Sequence, residues 1–265
     1  MRTAPPPINP TGLIAYGPAE VARRIEDAGI AKAMLGAPQL ATLSLLAGAF
    51  IGLGAAAYTA VMAGVDPAFG PYRFLGGIVF SLGLVLVIVA GAELFTGNAL
   101  IVMACVDRRI SLFSLLRNWA FTLTGNALGA LAMVGLMVGS GLLKGAVADV
   151  VVRVAEAKTS LGWLEALSRG ILCNMLVCLA VWLTFAARDV TGKILAILLP
   201  ISAFVLLGFE HSIANFYLIP AGWVAGAKIG WSGFLGNLIP VTIGNVIGGA
   251  GGVALAYRMA YRPAG

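Results

Sequence analysis

Long apolar runs alternate with short charged connections along most of the chain. The runs fall near 38–64, 74–106, 111–140, 162–187, 193–226 and 232–257, and the connections hold most of the charges. About 20 apolar residues span a bilayer as a helix, so the pattern predicts six membrane spans. The second and fifth runs are too long for one ordinary span. Each is interrupted by polar residues, GAELFTGN at 91–98 and GFEHSIAN at 208–215. A single tilted helix would leave Glu93 or Glu210 near the bilayer centre, where charge is costly unless it faces protein or water. The pattern therefore predicts two discontinuous helices whose non-helical turns line a path.

The two halves echo each other. Glu93 precedes Asn98 by five residues, and Glu210 precedes Asn215 by five. The following run in each half carries a Gly-Asn pair followed by glycine, TGNALG at 124–129 and IGNVIG at 243–248. Glu93 lies 33 residues before Asn126, and Glu210 lies 35 before Asn245. Three spans per half put the repeats in opposite orientations. The expected fold is an all-α membrane protein with two inverted three-helix repeats whose broken helices meet near the midplane.

Composition agrees. The chain of 265 residues is 60% hydrophobic and 11% charged, against about 25% charged in soluble domains. Its net charge of +6 carries no Lys/Arg cluster with interleaved aromatics, so basic loops rather than nucleic-acid binding are expected. With the N-terminus inside, eleven Lys and Arg fall on the inner side and six on the outer. That predicts both termini in the cytoplasm. The expected division is an N-terminal tail over 1–37, a pore domain over 38–258 and a short tail over 259–265. The N-terminus does not have the form of a signal peptide. Its segment PAEVARRIEDAGIAKAMLG places Val21, Ile25 and Ala28 opposite Arg23, Arg24 and Asp27. It reads as an amphipathic helix on the membrane surface, with a disordered tail of helical tendency as the other reading. Cys105, Cys173 and Cys178 have no CxxC spacing and one histidine accompanies them, which argues against a metal site. No cofactor is expected.

His211 is the single histidine, and an ionisable group inside a membrane is a functional candidate. A neutral imidazole donates one hydrogen bond to an anion and can exchange one proton. A fixed cation there would hold an anion too tightly to release it. Glu93 and Glu210 would repel an anionic substrate. Their expected role is to support the breaks by accepting hydrogen bonds from exposed backbone N–H groups. The Thr96 hydroxyl can donate to an anion, to His211, or to its own turn. Asn215 and Asn245 can bond the loops, hold the histidine's tautomer, or join neighbouring helices. Asn98 closes the first turn.

GAELFTGN, RGILCNMLVCLAVW at 169–182, GFEHSIANFYLIP at 208–220 and NLIPVTIGNVIGG at 237–249 resemble signatures of the formate–nitrite transporter family. The resemblance runs from GAFIGLGA at 48–55 to the last span. It implies an aquaporin-like fold, a homopentamer in the cell (inner) membrane, and one pore per subunit for small monovalent anions or their acids. It places Thr96 beside the histidine at the pore centre. It assigns Phe80 and Leu84 to a constriction on the cytoplasmic side, Phe204 to one on the periplasmic side, and Lys158 to an outer vestibule. There Lys158 would act as a focusing charge. The two breaks look more like formate members than nitrite ones, with nitrite, hydrosulfide and lactate as alternative substrates. Channel-like transport favouring weak acids is expected, taking the form of anion–proton symport at low pH.

Two other classes fit less well. A neutral-solute channel of aquaporin type would carry Asn-Pro-Ala at its half-helix tips, where this chain has ELFTGN and EHSIAN. A membrane enzyme would need a nucleophile–base pair or a metal set, which one histidine does not supply.

Overall fold

The computed structural model describes residues 15–261. Residues 1–14 and 262–265, with Arg2, Arg262 and most of the expected C-terminal tail, lie outside the described residues. The elements are α1 Pro18–Ala33, α2 Ala37–Val61, α3 Gly70–Gly91, α4 Gly97–Val106, α5 Leu112–Gly139, α6 Gly145–Thr159, α7 Trp163–Ala186, α8 Val190–Leu206, α9 Ser212–Val224 and α10 Trp231–Tyr261. No strand occurs among the described residues. Five of these helices, α2, α3, α5, α7 and α10, are long and apolar enough to cross a membrane. The expected fifth span is divided between α8 and α9, and the second continues past its break as α4.

Local chemistry sets the ends. Proline opens α1, α2 and α3, where a missing N–H costs nothing. Ser111 and Asp189 cap α5 and α8 by accepting from the N–H groups of Ser114 and Gly192. The two breaks follow the same recipe. Gly91 and Gly208 stop α3 and α8 with φ of 88° and 68°, a left-handed conformation that glycine adopts without a Cβ penalty. The next N–H in each case reaches back five residues, from Ala92 to the Val87 carbonyl and from Phe209 to the Phe204 carbonyl.

The second half contains one helix that the sequence pattern did not indicate. α6 lies in the connection between the third and fourth runs and packs on α9, as α1 packs on α4. The repeats are thus α1–α5 and α6–α10, with α2 against α5 and α7 against α10 as matching long pairs. Those pairs approach closely at glycine. A methyl group on Gly48 would lie 2.0 Å from the Asn126 carbonyl oxygen, and one on Gly248 would lie 2.1 Å from that of Ile171.

The N-terminal helix also corrects an expectation. Val21 and Ile25 are buried in the main core, not directed at lipid. The body grips α1 from several sides. Arg109 pairs with Glu26 and Asp27 at 3.2 and 2.9 Å. The guanidinium groups of Arg24 and Arg188 lie 3.6 and 4.8 Å from the centre of the Tyr16 ring. Burial of Val21 and Ile25 in the core takes them out of water without a membrane surface.

Candidate functional site

The break after Gly91 and the break after Gly208 are held by two copies of one hydrogen-bond network. Asn126 accepts from the Phe95 N–H at 2.8 Å and donates to the carbonyls of Ser44 and Glu93. Asn245 accepts from the Ser212 N–H at 2.9 Å and donates to the carbonyls of Gly170 and Glu210. Both are fully buried. An amide is the side chain for this task, because it offers an acceptor and two donors without charge.

The carboxylates behave differently from the expectation. Glu93 and Glu210 accept from side chains and not from backbone N–H groups. Glu93 takes the Lys32 ammonium at 2.6 Å and the Asn98 amide at 2.8 Å. Glu210 takes Lys158 at 2.8 Å, Asn215 at 2.7 Å and Asn237 at 3.2 Å. Asn98 also donates to Asn118, and Asn215 to Asn237. Asn118 and Asn237 return a hydrogen bond to the carbonyls of Lys32 and Lys158. Asn126 takes the Phe95 N–H and Asn245 the Ser212 N–H, while each buried carboxylate is satisfied by an ammonium and amides.

The correspondence fails between the glutamate and the asparagine, where one half reads ELFTGN and the other EHSIAN, so that neither Thr96 nor His211 has a counterpart. Glu210 is followed by His211, whereas Glu93 is followed by Leu94. His211 caps α9, its Nδ1 accepting the Ala214 N–H at 3.1 Å. A backbone N–H can only donate, so Nδ1 holds a lone pair and the proton of the neutral ring sits on Nε2. Nε2 lies 2.9 Å from the Thr96 hydroxyl oxygen. Nε2–H therefore donates to Thr96, whose own hydroxyl hydrogen is left to donate elsewhere. The Thr96 carbonyl is fixed separately, by Asn174 at 3.1 Å and the Cys178 thiol at 3.3 Å. Thr96 immediately precedes α4 and His211 immediately precedes α9. The N-terminal ends of two half-helices, with their positive dipole ends, thus meet at this contact.

Two cavities flank it. One of about 210 Å³ is bordered by His211, Phe80, Phe204, Lys158, Arg73 and Arg169. The other, of about 490 Å³, is bordered by Leu84, Leu94, Gly97, Lys32, Glu93 and Lys193. α2 runs from the second, at Leu43, to the first, at Tyr58; α7 runs from the first, at Arg169, to the second, at Thr184. Equivalent helices cross between the cavities in opposite directions, as an inverted repeat requires.

Several expected site residues change place. Phe80 does not group with Leu84. Its ring meets Phe204 edge to face at 5.5 Å, and Phe204 stacks on His211 at 6.0 Å. One turn of α3 separates Phe80 from Leu84 and turns them into different cavities. Asn215 and Asn245 border neither cavity; all the donors of Asn245 are spent on backbone carbonyls. Lys158 borders the histidine-side cavity, but its charge is paired with Glu210.

The sequence matches the formate/nitrite transporter family over residues 19–259. The chain belongs to the formate/nitrite transporter family. It is 43% identical to the uncharacterized transporter YrhG of Bacillus subtilis over 92% of this chain and 93% of that one. It is 39% identical to the formate channel BtFdhC of Bacillus thuringiensis, over 93% and 96% of the two chains, and 39% identical to the formate channel FocA of Escherichia coli, over 96% of each. Among solved structures, an FNT family ion channel superposes with a TM-score of 0.85 at 31% identity, covering 91% of this chain and 98% of the other. A pentameric formate channel with formate bound gives 0.78 at 36% identity over 85% and 97%. This family member is a multi-pass membrane protein, and those named relatives are transporters or channels.

Lys32, Asn118, Asn237 and Asn174 were absent from the sequence-derived site, although each contributes to it. A signal for the first existed. Lys32 lies in AKAMLG at 31–36 and Lys158 in AKTSLG at 157–162, which share Ala-Lys-x-x-Leu-Gly. That repeat pairs α1 with α6 and each lysine with its glutamate. Asn118 and Asn237 carried one too, since each lies eight residues before the Gly-Asn asparagine of its half, Asn126 or Asn245.

Proposed function

We propose that the chain conducts small monovalent weak-acid anions, formate foremost, through a pathway in each subunit of a homopentamer. The formate channels among its relatives support the substrate, and the pentameric formate channel supports the assembly. The single observation that carries the reading is the Thr96–His211 contact at 2.9 Å, set between two helix N-termini and two cavities. An anion arriving there meets hydrogen-bond donors and positive dipole ends without a fixed cation, so it is held weakly enough to leave. The Phe80–Phe204 pair and Leu84 on either side exclude hydrated ions, because naked charge in an apolar ring is expensive. A proton exchanged through His211 would let the substrate cross as its neutral acid, which makes flux rise at low pH. Nitrite, hydrosulfide and lactate share the relevant chemistry and are the alternatives within the class. The excess of Lys and Arg on one side favours both termini in the cytoplasm of a cell whose inner membrane holds the protein.

The test is uptake of formate, nitrite, hydrosulfide and lactate into proteoliposomes at two pH values, with His211→Phe and His211→Asn. Asparagine keeps a cap for α9 but cannot exchange the proton. Formate should lead, its flux should rise at low pH, and both variants should lose that rise while remaining assembled. Unchanged proton-coupled flux in His211→Asn would remove the histidine from the mechanism. Flux of glycerol or water with no anion flux would point to the neutral-solute class.

A further inference from the structure

The histidine-side cavity has a source of positive charge that no family resemblance assigned. Lys158 is the expected collecting charge, but its ammonium is 2.8 Å from the Glu210 carboxylate and the pair is nearly neutral from a distance. Arg73 in the first turn of α3 and Arg169 in α7 converge instead on the turn at Gly208. A methyl group on Gly208 would lie 3.1 Å from Nη2 of Arg73 and 3.6 Å from Nη1 of Arg169. The two nitrogens are therefore within about 7 Å of each other, near enough for their fields to add.

Their compensation is incomplete. Arg169 donates to the Gly208 carbonyl at 3.1 Å and to Glu165 at 2.6 Å. That ion pair is an exposed i,i+4 contact and screens only part of the charge. Arg73 is half-buried and makes no ion pair among the described residues. Like charges brought together beside a low-dielectric wall repel unless an anion joins them, and a guanidinium group matches a carboxylate in shape and donor geometry. The opposite cavity has no equivalent: of its bordering cations, Lys32 is paired with Glu93 and Lys193 stands apart.

We propose that Arg73 and Arg169, not Lys158, form the anion-collecting site at this mouth, taking a small monovalent carboxylate from water before the Phe80–Phe204 pair. The proposal rests on the transport reading above. Gly208 belongs to the site, since its missing side chain leaves the space between the two guanidinium groups.

The experiment measures initial formate influx against external formate in proteoliposomes of the full-length protein, at low and high ionic strength. The variants are Arg73→Gln, Arg169→Gln, both together, and the double lysine variant. The double Gln variant should raise the half-saturating formate concentration about 5-fold at low salt and lose most of its salt dependence, as expected for two charges within a Debye length. Its maximal flux should hold. The lysine variant should keep the salt dependence, and each single Gln variant should give an intermediate shift, which keeps the test decisive if the double variant fails to assemble. Unchanged half-saturation and salt dependence in the Gln variants, with formate still carried, would overturn the arginines' role alone. Wild-type vesicles that carry no formate would overturn the transport reading and this proposal with it.

Discussion

Replacing Lys158 with methionine should destabilise the protein rather than weaken its capture of anions. The side chain of Glu210 is 4% exposed and that of Lys158 is 14% exposed. Removing the ammonium leaves the carboxylate with only the amides of Asn215 and Asn237. Breaking a buried pair from one side costs about 3–5 kcal/mol. For a chain of this length each kcal/mol lowers Tm by roughly 2–4 °C, so Lys158→Met should melt roughly 6–20 °C lower. Glu210→Gln should cost less, about 1–3 kcal/mol, because the ammonium borders the cavity and can find water there. The double variant should lose less than the sum, with a coupling of about 2 kcal/mol or more. The mirror pair is more exposed, with Lys32 at 31%, so Lys32→Met should cost about half as much. The assay is thermal unfolding of the detergent-solubilised protein followed by tryptophan fluorescence, with formate influx on the same preparations. Lys158→Met that melts within about 2 °C of wild type but needs more formate for half-saturation would refute the reasoning. Lys158 would then be a collecting charge after all.

Asn245→Ala strands the buried Ser212 N–H and Glu210 carbonyl at about 1–3 kcal/mol each, so it should lower thermal stability by about 2 kcal/mol or more; a near-normal melting curve would show that water replaces the amide. Gly208→Ala combines a φ of 68° with a 3.1 Å approach to Arg73. It should cost about 1–2 kcal/mol in strain and also raise half-saturating formate, which the same two assays read. Gly248→Ala places a methyl group 2.1 Å from a backbone oxygen and should reduce the yield of folded protein by forcing α7 and α10 apart, as size-exclusion chromatography would report. Phe204→Ala removes one side of the aromatic pair and should raise lactate flux relative to formate flux, measured by competition in proteoliposomes; an unchanged ratio would mean that the pair does not set size selection.

The sequence by itself determined the apolar runs, the two breaks, the repeat of Glu-x4-Asn with a later Gly-Asn, and the one imidazole. These signals are local. A run of apolar residues declares its own preference for lipid, and a charge inside it is expensive wherever the helix finally packs. Only the tertiary structure decided what each polar group meets. Lys32 and Glu93 are 61 residues apart in sequence and 2.6 Å apart in space, because α1 folds back onto α4. The same packing drew the apolar face of α1 away from lipid. Asn126 and Asn245 capped the breaks, and the carboxylates paired with lysines. Phe80 and Leu84 are one helical turn apart, and spacing alone assigns them to one lining; the position of α8, which brings Phe204 to Phe80, separates them. Lys158 could be read as a free charge until its neighbour was known. In each case the deciding quantity is which helices cross and at what height, and that is set by the summed packing of residues far apart in the chain, not by any short motif.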